Sequence, residues 1–431
     1  MAEVLVAGAT GGREQALAQA MEMSPEVTRV VVSGDIQAGL DQFSGGEKPF
    51  VVIGPEAPLV KGVADGLRED GYVVFGAGSK AAQYEASKAR TVQLSRLYGV
   101  RHPETTIAQG PELAKTARDY VTFHNPNGYV IKADGLAGGK GVVVPESKAE
   151  ARDAIEDMLS GGYDGAGAEV INFQSRRRGP EASAMVVVGG EGDFTILPLS
   201  QDHKRLQDGD RGPNTGGMGA YSPVPDSIVS QEQYGKIEEM AERLLYGMKK
   251  DSVQYMGAVM YLGLMMDEEL NGDPTLIEIN VRFGDPETQA ILPIAQRAGV
   301  DVYRLLRSAA EGQLEKPAVD FRNVGGAALT VCLAAGGYGH PNSTIQKGEH
   351  IYGLDTQHDG VSVQLAGAKQ EDGHVRTNGG RVLYVTAAGE TIDEAATRAY
   401  AAIDTNGTGQ GIGFAGMQFR TDIGYQARSA A

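Results

Sequence analysis

The chain has 431 residues, 41% of them hydrophobic and 22% charged, so about two to four globular domains are expected. Its net charge of −17 disfavours bulk binding to nucleic acid or to anionic membrane, since both need basic surface. An acidic chain that binds a polyanion must gather its positive charge locally. No apolar run approaches the roughly 18 to 20 residues that cross a bilayer. The opening MAEVLVAGATGG reads as a strand entering a turn, not as a signal peptide. The single cysteine, Cys332, excludes an internal disulfide and fits the core of a cytoplasmic protein.

In chain order, EVLVAG, RVVVSGD, PFVVIG and GYVVFG read as strands, with helices REQALAQAME and LVKGVADGLRED between them. Strand–helix–strand at this spacing predicts a parallel α/β sheet. GATGGREQAL resembles a glycine turn feeding a helix N-terminus, which suits a phosphate. It does not match G-x-G-x-x-G. SKARTVQLSRLYGV is a helix ending at Gly99, and GPELAKTARDYVTF is another. Residues 128–199 read mostly as strands around one helix, SKAEARDAIEDML, which suggests a small α+β unit. A long helix, QEQYGKIEEMAERLLYGMKK, precedes the strands YMGAVMYLGLMM and TLIEINVRF. Beyond about residue 323, GGAALTVCLAAGG, VSVQLAG and GGRVLYVTAAG read as strands and TIDEAATRAYAAI as a helix, a separate C-terminal domain.

Three stretches carry chemistry. In IKADGLAGGKGVVVP, Lys132 and Lys140 flank Gly135, Gly138 and Gly139, and Gly141 follows. Glycines let backbone N–H groups approach phosphate oxygens, and two ammonium groups add charge. The stretch is no P-loop, because Gly141 follows Lys140 and the next element is a strand. In TLIEINVRFGDPET, period-two alternation puts Glu278, Asn280 and Arg282 on one face and Ile277, Ile279 and Val281 in the core. A carboxylate beside an amide oxygen suits Mg²⁺ that also binds phosphate. Arg282 suits two-pronged contact with a phosphate or carboxylate. The third stretch, SQDHKRLQDGDRGPNTGGMGAYSP, is read as a long functional loop, in which residues 214–219 form an amide nest for a second anion. His203 within it reads as a hydrogen-bonding residue. C-x-x-C and G-x-S-x-G are absent, so zinc structure and serine nucleophiles have no support.

Together IKADGLAGGKGV, QDHKRLQDGDRGPNTGGMGAYSP and IEINVRFGDPET resemble the phosphoribosylamine–glycine ligase (glycinamide ribonucleotide synthetase) family of ATP-grasp enzymes. GPEAPLVKGVADGL, GAGSKAAQYEASKA, TNGGRVLYVTAAG and MQFRTDIGYQAR extend the likeness over essentially the whole chain. The resemblance implies a multidomain α/β and α+β fold. A parallel α/β domain would span 1–102 and an ATP-grasp core 103–325, with lobes at about 122–190 and 191–325. A small C-terminal mixed α/β domain would span 326–431. It implies ligation of glycine to 5-phosphoribosylamine with ATP and Mg²⁺, or Mn²⁺ in its place, by a monomer or weak dimer. Lys88, Lys132 and Lys140 would contact ATP phosphates, residues 135–141 would form a lid, and Glu181 would hold the ribose. Glu278 and Asn280 would bind the metal. Arg282, Asp285, Asn214, Thr215, Gly216, Gly217 and Met218 would lie at the glycine and phosphoribosylamine site. Gly11, Gly12, Pro55 and Glu56 would bind the sugar phosphate, with Lys140 and Arg282 acting in catalysis. Three departures stand out: Gln15 in the family's usual histidine position, INFQ for the acidic hinge E-E-F-L, and a following Arg176-Arg177-Arg178 run.

Overall fold

The computed structural model describes residues 1–136, 141–161, 169–340 and 343–428. The strands Ala2–Ala7, Val27–Ser33, Phe50–Ile53 and Val74–Phe75 form one parallel sheet, in the order second, first, third, fourth. The strands Val27–Ser33 and Val74–Phe75 are outer, while Val4 to Ala7 and Phe50–Ile53 are wholly apolar and buried because both faces of the sheet are covered there. Val4 and Val6 pack with Leu17 and Met21 of the helix Gly12–Glu22, while Leu5 and Ala7 join the core on the other face. The single helix read over 59–70 is two, Glu56–Val60 and Val63–Glu69. They are split at Gly62, whose φ of +80° favours a residue without Cβ.

A second sheet is antiparallel, in the order Thr105–Gln109, Val170–Ser175, Tyr129–Ala133, Val142–Val143. Ile131 and Phe173 face the helices Leu113–Phe123 and Lys148–Leu159 through Val121, Ile155 and Met158. Alternation then sends Lys132, Asn172 and Gln174 to the opposite face. A third sheet runs Phe194–Ile196, Glu181–Val188, Ala258–Asp267, Asp273–Asn280. The helix Gln231–Lys250 packs on it through Ile237, Leu244 and Met248, and a capping box of Ser230 and Gln233 fixes its start. On the far side lie two helices that sequence reading missed, Glu287–Arg297 and Val302–Ala310. Pro293 interrupts the helical signal of the first. Since Glu181–Val188 bonds within the third sheet, the crossing between the lobes falls at 176–180, ahead of the expected limit near 190. The arginine run is that crossing. Arg177 pairs with Glu269 at 3.0 Å and with fully buried Asp267 at 3.5 Å, across on the other lobe.

The fourth large sheet is ordered Gln201–Asp202, Gly219–Ser222, Ala327–Ala334, Arg381–Gly389, Val361–Leu365, with the helix Ile392–Ala402 on one face. Two of its strands come from the stretch read as a loop. Between them Arg205–Gln207 pairs with Arg211–Asn214 as a hairpin. The loop reading failed because Gly219–Ser222 finds its partner at Ala328–Val331, a pairing with no local signal. The C-terminal tail is tied to this hairpin by Arg420, fully buried, which meets Asp210 at 2.6 Å and Asp422 at 2.7 Å.

The first turn packs directly on this sheet. A Cβ on Gly12 would overlap the Tyr384 ring and lie 2.6 Å from Gln289 Nε2. Gly12→Ala is therefore expected to destabilise the protein by about 1–3 kcal/mol through overpacking. Calorimetry should show a lowered transition temperature, and an unchanged one would contradict this contact.

Candidate functional site

A cleft of ≈ 350 Å³ opens where the sheets meet. The first domain lines it with Arg13, Pro55 and Glu56, and the following helices Ser79–Ala86 and Lys88–Leu97 with Glu85 and Lys88. Gly135, Gly141 and Gln174 come from the second sheet and its turn, Asp202, Lys204, Thr215 and Gly216 from the segment joined to the C-terminal sheet. Glu278, Asn280, Arg282, Asp285 and Glu287 complete the floor, and Arg381 reaches in from the C-terminal domain.

Glu278 and Asn280 stand on one strand, but the alternation expected there is broken. Gly263 pairs with Glu278 and Leu264 with Leu276, so Ile277 is an extra, bulged residue. Ile277 is half-buried rather than core, and its carbonyl accepts a hydrogen bond from Lys132 Nζ at 3.2 Å. Ile279 and Val281 are buried as expected. The strand stops at Asn280, and Arg282 lies just beyond it with Nη2 3.4 Å from Asn280 Oδ1.

Charges converge on Glu278. Burial opposes its ionisation, but Lys204, Lys132, Lys88 and Arg282 together outweigh burial and hold its pKa at about 2. Lys132 feels the opposite balance. Burial lowers its pKa and Lys88 and Lys204 reinforce that, while Glu278 and Glu181 oppose it, leaving the ammonium at about 8. Lys204 sits 3.0 Å from Glu181 and 4.0 Å from Glu278. Burial works against its charge, yet Glu181, Tyr261, Glu278 and Asp202 keep it firmly protonated. Lys88 donates to the Gly135 carbonyl at 3.1 Å, which places it at the root of the glycine turn.

On the other side of Arg282, Glu56 lies 3.2 Å from Nε and Glu85 lies 3.3 Å from Nη2. Glu85 also accepts from the Val281 amide at 2.7 Å. Burial and the neighbouring Glu56 raise its pKa to about 6 against the pull of Arg282. For Glu56, burial is outweighed by Arg282 and Arg13, and its pKa is lowered. Burial and Glu287 push Asp202 well up, although Lys204 and Arg381 oppose them.

The structure thus gathers Pro55, Glu56, Lys88, Gly135, Gly141, Thr215, Gly216, Glu278, Asn280, Arg282 and Asp285 around one cleft. Lys132 lies just behind its floor. Glu181, the expected ribose contact, ion-pairs with Lys204. Asn214 is exposed on its hairpin, and Met218 is wholly buried with Leu206, Cys332 and Tyr384, its amide donating to the His203 carbonyl at 2.8 Å and its carbonyl accepting from the Cys332 amide at 2.9 Å. Gly217, with φ +105°, packs against Pro286 and Asp202. Gly11 caps the first helix and Gly12 faces Tyr384. Gly138, Gly139 and Lys140 lie outside the described residues. His203 is buried away from the cleft, its Nε2 accepting from the Gly424 amide at 3.1 Å, and burial lowers its pKa to about 4. Sequence reasoning missed Arg13, Glu85, Asp202, Lys204, Glu287 and Arg381. Lys204 and Asp202 could have been found by period-two alternation in QDHKR, because both share a face. Arg381 carries no such signal.

Family models fit the chain along its length: the N domain of phosphoribosylglycinamide synthetase over residues 35–85, its ATP-grasp (A) domain over 86–288 and its C domain over 328–426. The phosphoribosylamine–glycine ligase of Vibrio cholerae is 40% identical over 448 residues, covering 99% of this chain and 98% of its own. The chain belongs to the phosphoribosylglycinamide synthetase family. A solved phosphoribosylamine–glycine ligase from Thermotoga maritima superposes with a TM-score of 0.78 at 32% identity, over 98% of this chain and all of that one. The biotin carboxylase of Campylobacter jejuni, at 13% identity and a TM-score of 0.69 over 97% of this chain and 92% of its own, shares the ATP-grasp fold. Membership carries ATP use with a divalent metal. Among the described residues no group of three or more histidines, cysteines or acidic side chains could hold a metal by itself. A metal seated on the two oxygen donors Glu278 and Asn280 would therefore share its coordination with phosphates and water, as Mg²⁺ commonly does. In this family's ATP-grasp cleft, the Lys132 ammonium should be lost as pH rises through about 8 in the free protein. A polyanion raises that value when bound. The expected outcome is that kcat/KM for ATP falls above about pH 8 while kcat holds to higher pH, and coincident limbs would exclude Lys132 as the cause.

Proposed function

We propose that the protein joins the carboxylate of glycine to the amine of 5-phosphoribosylamine, with conversion of ATP to ADP and phosphate. The observation that carries this reading is the convergence of Lys88, Lys132, Lys204 and Arg282 on Glu278 and Asn280 in one cleft. That is an inventory for holding phosphates. A carboxylate is a poor acyl donor because oxide would have to leave. Attack of the glycine carboxylate oxygen on the γ-phosphorus displaces ADP and makes glycyl phosphate. The amine then attacks the acyl carbon, phosphate departs, and the nitrogen gives up one proton.

Lys88 and Lys132 neutralise the phosphate oxygens. Glu278 and Asn280 would hold the Mg²⁺, which would draw charge from the transferring phosphoryl group. Arg282, already oriented by Glu56 and Glu85, faces the acid substrate, while Asp285, Thr215 and Gly216 line the amine side of the cleft. Gly11, Gly12, Pro55 and Glu56 frame the sugar phosphate. In this arrangement residues 1–102 and 326–431 flank a central nucleotide-binding core.

Glu278→Gln should leave a folded protein whose turnover falls by about 100-fold or more, because a neutral amide cannot balance the four cations around it. Release of ADP with glycine plus phosphoribosylamine, compared with other acid–amine pairs, measures both points. Turnover on a different pair alone, or near-normal turnover of E278Q, would overturn the assignment.

A further inference from the structure

Arg381 opens the C-terminal strand Arg381–Gly389, yet its side chain ends inside the cleft. Its Nη1 donates to the Gly216 carbonyl and, at 2.6 Å, to the Asp285 carbonyl, while Nη2 meets Asp285 Oδ2 at 3.1 Å. Asp285 is held from its other oxygen by Gln289 Nε2 at 2.7 Å. The same loop is gripped a second time, since the Gly216 amide donates to Tyr338 Oη at 3.1 Å. Both Tyr338 and Arg381 belong to the C-terminal domain, and both hold one glycine of the loop 214–218.

The grip passes onward. The amide and hydroxyl of Thr215 donate to the Lys204 carbonyl at 2.7 and 2.9 Å, and the Gly217 amide donates to Thr215 Oγ1 at 3.1 Å. Lys204 in turn carries the ammonium between Glu181 and Glu278. A guanidinium offers its donors in a rigid fork. Here both Nη1 and Nη2 are engaged by protein oxygens, so the group acts through its neighbours.

Resting on the ligase reading above, we propose that Arg381 is a positioning residue. It fastens the loop 214–218 and Asp285 to the C-terminal sheet, and so fixes the amine-substrate side of the cleft and keeps it closed to water. A lysine ammonium is a single point on a shorter reach and lacks the planar fork whose two nitrogens here meet the Gly216 and Asp285 carbonyls and the Asp285 carboxylate, so charge alone does not replace it.

The test compares wild type with R381Q, R381K and Y338F, with phosphoribosylamine formed in place from ribose 5-phosphate and ammonia. For R381Q the expected result is an amine KM raised about tenfold, an ATP KM within about twofold of wild type, and more ADP released than ligated product formed. R381K should recover only part of the loss, and Y338F, which keeps the guanidinium, should shift the amine KM in the same direction by about threefold. Amide hydrogen exchange of the unliganded proteins is the second readout, and R381Q should speed exchange across 214–218 whatever the substrate. A wild-type amine KM with tight coupling in R381Q, or a rise in ATP KM equal to that for the amine, would overturn the proposal. So would unchanged exchange in the loop. If wild type itself fails to ligate this pair, the ligase reading falls, and the exchange result alone judges the clamp.

Discussion

The attraction between Glu278 and the cations around it is the constraint on which the cleft depends. Four basic side chains cannot be brought together under low dielectric without a counter-charge, and Glu278 stays ionised because of them. The pairing is unequal. Lys204 has Glu181 as well, and Arg282 has Glu56 and Glu85. Lys88 and Lys132 are left with carbonyl partners, those of Gly135 and Ile277. In a chain of net charge −17, two ammonium groups thus stand, among the described residues, without an ion-pair partner of their own where a polyphosphate would lie. The depressed pKa of Lys132 is the energetic mark of that placement, since burial and like charges both favour losing its proton.

The bulge at Ile277 serves this balance. An unbroken ladder would send the Ile277 side chain to the core and commit its carbonyl to the neighbouring strand. The extra residue frees the carbonyl for the Lys132 ammonium and keeps Glu278 and Asn280 in the cleft. A buried ammonium with a neutral acceptor as well as a nearby carboxylate costs less than one with neither.

Sheet pairing explains why the third stretch can be both polar and ordered. Residues 201–222 leave the third sheet, contribute two strands to the C-terminal sheet, and return to the helix Gln231–Lys250. The C-terminal domain is thus stitched to the cleft by backbone hydrogen bonds as well as by Arg381 and Arg420. The crossing at 176–180 is stiffened differently. Arg177 pins it to Asp267 and Glu269 on the second lobe, and no arginine of that run lines the cleft. Arg177 thereby acts as a strut between the lobes.

By itself the sequence determined the parallel first sheet, the long helix Gln231–Lys250 and the shared face of Glu278 and Asn280, because each rests on periodicity or spacing within about 20 residues. Its long motifs also carried the family. Tertiary structure alone decided which charges meet. Glu85 reaches Arg282 across 197 positions and Arg381 reaches Asp285 across 96, and neither distance leaves a trace in local pattern. It also decided that Met218 is core, that Glu181 serves Lys204, and that Gly219–Ser222 is a strand. The physical reason is common to all three. Burial and counter-charges are properties of the packed neighbourhood, and a neighbourhood assembled from four sheets is not written along any one stretch of chain.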